Sequence, residues 1–141
     1  IVSKTVLEIE VQKGKKRPYR AKDVNNKWIV YFRHNDQNLV ANKVLLQVWR
    51  KKQKKTGVTV KFGKVENFLM NYIKENESVT LSKFIKITGI SSYRAISILA
   101  NLIVLQVLVM NASEKGFTYS LNPDNTYYNI TREASDQFRL S

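Results

Sequence analysis

From Lys4 to Gln12 apolar and polar side chains alternate with period two, placing Val6, Glu8 and Glu10 on one side and Thr5, Leu7, Ile9 and Val11 on the other. That pattern predicts a half-buried strand. A turn rich in Lys13, Gly14, Lys15, Lys16, Arg17 and Pro18 leads to a short strand at Tyr19 to Lys22. Asp23, Asn25 and Asn26 then supply turn chemistry before a run from Trp28 to His34. Together the three runs predict one antiparallel meander. The unbroken apolar stretch Trp28-Ile29-Val30-Tyr31-Phe32 implies a strand covered on both faces. It assigns Trp28, Tyr31 and Phe32 to the core in preference to a stacking platform for bases.

The period then changes. Asn35-Asp36-Gln37-Asn38 offers N-cap side chains, and Ala41, Val44, Leu45, Val48 and Trp49 follow at helical spacing, with Lys43, Gln47, Arg50 and Lys51 opposite. A helix over roughly 39–54 is expected, stopped by Thr56-Gly57. Helical spacing resumes with Val65, Phe68, Leu69, Tyr72 and Ile73, and Val79-Thr80 is an extended link. A second short helix carries Leu81, Phe84, Ile85 and Ile87 up to Thr88-Gly89, and a third, capped by Ser91 or Ser92, carries Ala95, Ile96, Leu99, Leu102 and Ile103. Val107 to Asn111 and Phe117 to Leu121 read as a hairpin, with Gly116 suited to a positive φ. Helix, helix, Gly turn, helix and hairpin is the order of a winged helix-turn-helix. Residues 123–141 read as a loose polar tail.

Charge sharpens this picture. The chain carries 24 Lys and Arg against 11 Asp and Glu, a net charge of +13. Residues 1–56 hold 15 cations and four acids, whereas residues 57–141 hold nine and seven. So large a surplus points to a polyanionic partner. No cysteine is present, which removes disulfides and thiolate metal sites. No apolar run approaches the length of a membrane span, and a cytoplasmic, membrane-free setting is expected. Neither a GxxxxGK[ST] nor a GxGxxG loop occurs, and His34 is the single histidine. Glu8 and Glu10 do not converge, so no enzyme, metal or cofactor is expected.

Pro18-Tyr19-Arg20-Ala21-Lys22-Asp23, Lys27-Trp28, Tyr31-Phe32-Arg33, Asp36-Gln37-Asn38, Ala41-Asn42-Lys43 and Trp49 together carry a resemblance. The segment of about residues 2–54 resembles the C-terminal portion of the AlbA-like, Schlafen-type DNA-binding domain of bacterial regulators. Such proteins often carry a winged helix after that domain. The resemblance implies a transcriptional regulator or another nucleic-acid-binding protein. The family's N-terminal portion, with its glutamate and lysine motif and glycine-rich loop, is expected before Ile1. The acidic residues with which Schlafen relatives cut RNA match no position here.

The expected fold is therefore α+β: a partial AlbA-like β-meander with a helix over residues 1–56, a winged helix-turn-helix over 57–122, and a tail. In a helix-turn-helix the start of the third helix meets base edges. Those positions are Ser92, Tyr93, Arg94 and Ser97, with Asn101 a turn further on, and Arg94 can grip guanine with two hydrogen bonds. Arg33, Lys43, Arg50, Lys51, Lys52, Lys54 and Lys55 are candidates for phosphate contacts, as is Lys115 at the wing tip. Duplex DNA is the expected partner, bound by a homodimer. The alternatives are a dimerisation or docking winged helix with nonspecific RNA or DNA binding, and an inactive piece of an RNA-processing protein.

Overall fold

The structure is a computed structural model that describes residues 3–54 and 56–125. It is an α+β arrangement of four helices and small antiparallel sheets. In chain order these are β1 (Ala21–Lys22), β2 (Trp28–Ile29), β3 (Tyr31–His34), β4 (Gln37–Val40), α1 (Lys43–Gln53), α2 (Lys64–Asn76), β5 (Ser78–Val79), α3 (Leu81–Thr88), α4 (Ser92–Val104), β6 (Leu108–Ser113) and β7 (Gly116–Leu121).

The N-terminal part departs from the expected meander. Residues 3–12 pair with no strand, and Val6, Leu7, Ile9 and Val11 are all exposed. Alternation fixes which side of a strand is apolar; it does not supply the neighbouring edge that makes a strand. The run after Trp28 breaks at Val30 into two separate two-stranded ladders, β1 with β2 and β3 with β4. Val30 alone of the five apolar residues is buried. Trp28 is 62% exposed and Tyr31 46%, which overturns their assignment to the core. Asn35-Asp36 is the two-residue turn of the β3–β4 hairpin, with Asn35 at φ 51°, and not the cap of a helix. The helix starts later, at Lys43, where the Oδ1 of Asn42 accepts from the Leu45 N–H at 2.9 Å.

The C-terminal part follows its local signals. Glu66 reaches back to accept from the Gly63 N–H at the start of α2. Thr80 caps α3, which Gly89 closes in the left-handed region at φ 68°. Ser91 caps α4, its Oγ accepting from the Arg94 N–H at 3.2 Å. The extended link before α3 is a true strand: β5 pairs with β7, and β7 with β6, giving a three-stranded antiparallel sheet in the order β5-β7-β6. Ser113 faces Gly116 across a turn of Glu114 and Lys115. Beyond Leu121, Asn122 anchors a turn by donating to the Gln106 carbonyl. The rest of the expected tail, from residue 126, lies outside the described residues.

One buried cluster joins these elements. Leu69 and Ile73 of α2, Phe84 of α3, Leu99 and Leu102 of α4, Leu108 and Tyr119 of the sheet meet Val44 and Val48 of α1. Phe68, expected on the same stripe of α2, is half exposed. The β3–β4 hairpin is stitched on by Phe32, whose ring lies 6.2 Å from those of both Trp49 and Phe117. At the hairpin tips Gln37 donates to Glu114 at 2.8 Å.

Candidate nucleic-acid interface

α4 is buried round most of its circumference: Ala95, Ile96, Ile98, Leu99, Ala100 and Leu102 all face protein. With 3.6 residues per turn, the remaining side is a narrow strip of Tyr93, Arg94, Ser97 and Asn101. Tyr93 and Arg94 stand exposed at its start, and Ser97 and Asn101 are partly covered further along. The Ser91 cap sets this phase, because it fixes Ser92, Tyr93 and Arg94 as the first turn of the helix.

α1 lies against α4, its Val44, Leu45 and Val48 turned inward. Lys43, Gln47 and Arg50 recur at helical spacing, so they share one side of α1, with Lys54 just past its end. Two grooves open where this side meets α4. The first, of about 390 Å³, is bounded by Lys43, Gln47 and Arg50 from α1 and by Ser92, Tyr93 and Ile96 from α4. The second, of about 270 Å³, is bounded by Lys51, Lys54 and Asn101 together with Thr56 and Thr59. The Oδ1 of Asn101 is buried with no hydrogen-bond partner among the described residues.

Seven of the sequence-derived candidates are thus brought together around the α1–α4 seam: Lys43, Arg50, Lys51, Lys54, Ser92, Tyr93 and Asn101. Arg94 and Ser97 lie on the adjoining strip of α4. Lys52 does not join them. The helix turns it to another side, where it borders a separate pocket with Arg17 and Trp49. Arg33 is engaged on its own hairpin, 3.2 Å from Asn38 Oδ1 and 4.0 Å from Asp36. Lys115 stands exposed at the β6–β7 tip and lines neither groove. Lys55 lies outside the described residues. Gln47 was legible as part of the polar side of α1 but not as a groove residue, because only the packing of α1 on α4 reveals what that side meets.

A polar contact ties the start of α1 to the C-terminal sheet. Asn42 caps α1 and also donates from Nδ2 to the Tyr119 hydroxyl at 2.8 Å. Tyr119 is fully buried, and that burial pushes its phenol above the usual range, with the Asn42 hydrogen bond pulling the other way. No described helix is long and apolar enough to cross a membrane. No family model matches this sequence, and comparisons with curated proteins and with solved structures likewise give no match.

Proposed function

We propose that this chain is a non-catalytic DNA-binding module of the winged-helix type, with α4 as the groove-reading helix and β6–β7 as the wing. The order α2, β5, α3, α4, β6, β7 with its three-stranded sheet supports that reading. So does the resemblance of residues 2–54 to the AlbA-like domain, which implies the same class of ligand. The observation that carries it is the row Lys43, Arg50, Lys51 and Lys54 lying alongside the exposed strip of α4. Phosphate contacts position a protein on a duplex and base contacts specify the sequence, and here candidates for both are side by side. Lys115 at the wing tip would reach a neighbouring phosphate. A symmetric target would be read by a homodimer.

The test is fluorescence anisotropy against labelled duplex DNA, single-stranded DNA and structured RNA over a range of salt. Four phosphate contacts give a log–log salt slope of about −3.6 on duplex DNA. Lys51→Glu with Lys54→Glu removes two of them and flattens the slope by about 1.8. Arg94→Ala erases about 1–3 kcal/mol of preference between sequences without changing nonspecific affinity much. Absence of duplex binding at low salt, or a slope indifferent to the two reversals, refutes the proposal.

A second reading is favoured by where the charge lies. Arg94 is the single cation on the exposed strip of α4, while the dense row sits on α1. A module binding phosphates without reading sequence, whose C-terminal part docks onto partners, has that distribution. It predicts that charge reversal abolishes binding while Arg94→Ala changes nothing.

A further inference from the structure

A third cavity, of about 490 Å³, lies on the far side of α1 from the α4 seam. Its wall is aromatic, made by Tyr19, Tyr31, Phe32 and Trp49, and its rim carries Arg17 and Lys52. None of the residues lining it is acidic. The volume falls in the range of small-ligand sites. Tyr19 and Tyr31 are 61% and 46% exposed, so flat apolar surface faces solvent where a folded protein usually hides it. The aromatic surface continues nearby at exposed Trp28, over whose ring the Lys22 ammonium sits 5.2 Å from the centroid.

We propose that this pocket binds an unpaired nucleotide, the base against the aromatic wall and the phosphate at Arg17 and Lys52. Flat rings with cations at the edge match the two halves of a nucleotide: every base has a stackable face, and each carries an anion a few ångströms away. The rim is already arranged. Gln53 Nε2 donates to the Arg17 carbonyl at 3.0 Å, tying that turn to α1, and Arg17 Nε donates to the Gly14 carbonyl at 3.2 Å. Preorganised groups lose little freedom on binding. The Tyr19 phenol rests directly over Gly14, in space that a β-carbon would occupy. Gly14→Ala therefore displaces Tyr19 from the wall while leaving the buried core untouched.

The experiment uses the full chain in a Trp28→Phe background, so that emission reports Trp49. An oligo(dT) strand and free uridine monophosphate are titrated separately. Quenching by the oligonucleotide, weakened about tenfold or more by Tyr31→Ala, by Arg17→Glu and measurably by Gly14→Ala, supports the site. Quenching by the mononucleotide as well identifies a free nucleotide as a ligand, and quenching by the strand alone identifies a nucleotide within a chain. No quenching by either, or quenching indifferent to all three variants, overturns the proposal. This site is independent of the duplex-binding surface: the pair Lys51→Glu with Lys54→Glu, which weakens duplex binding, must leave the oligo(dT) titration largely unchanged. If it weakens both ligands equally, a single surface serves both and the pocket proposal falls.

Discussion

Asn42 is the residue whose removal reports most directly on how the basic N-terminal part is fastened to the C-terminal fold. Its Oδ1 caps α1 and its Nδ2 meets the buried hydroxyl of Tyr119. Asn42→Ala loses the cap, at about 1 kcal/mol. It also strips the partner from a buried polar group, at about 1–3 kcal/mol. The total is roughly 2–4 kcal/mol. Asn42→Ser keeps an acceptor for the Leu45 N–H but does not reach Tyr119, so it loses only the second part. Urea unfolding followed by far-UV circular dichroism gives both values. Tyr119→Phe completes a double-mutant cycle with Asn42→Ala, and contact between the two side chains requires a coupling of about 1 kcal/mol. Equal losses for the Ala and Ser variants remove the cap from the account. Additivity within about 0.3–0.5 kcal/mol removes the bond to Tyr119.

Alkaline stability should depend on the same tyrosine. Burial raises the Tyr119 phenol in the folded chain, so its contribution is fully present below the unfolded value of about 10 and is lost as pH rises through the folded value. Urea midpoints measured from about pH 8 to about pH 11 should fall more steeply for the parent than for Tyr119→Phe; matching slopes would contradict this. Glu77 ends α2 with φ 68°, a conformation that costs a side-chain-bearing residue. Glu77→Gly should raise stability by about 0.5–1 kcal/mol in the same unfolding assay, and a loss would show that the Glu77 side chain contributes more than its backbone strain costs.

What was legible in the sequence was mostly short-range. Gly89 ends one helix as read, and of the two candidate caps for the next, Ser91 and Ser92, it is Ser91 whose side chain caps it. Gly116, with φ 125°, likewise opens β7 at the hairpin turn. Asn35 and Asp36 illustrate the opposite case. The same side chains suit a helix cap and a hairpin turn, and the pairing of Phe32 with Leu39, a relation between strands, decides for the turn. An apolar run suggests two covered faces and so places Trp28 and Tyr31 in the core, yet no described element buries either ring, and both stay largely exposed. Of the candidate site, helical spacing made the polar side of α1 readable. Its position beside α4, and the separation of Lys52 from Lys51, required the fold.

The hydrophobic seam between α1 and α4 has a mechanical consequence. Val44 and Val48 are anchored in the same interior as Leu99 and Leu102, so the cationic row and the strip that begins at Tyr93 form one stiff body. No tether lets one part bind first and the other search. A helical polyanion would have to offer backbone charges and a groove edge at the separation this body already holds, as if measured by a caliper. On the proposed duplex target such a device would sense groove width and bendability at positions it never touches. A substitution at Val48, remote from any ligand, would then reset the gauge.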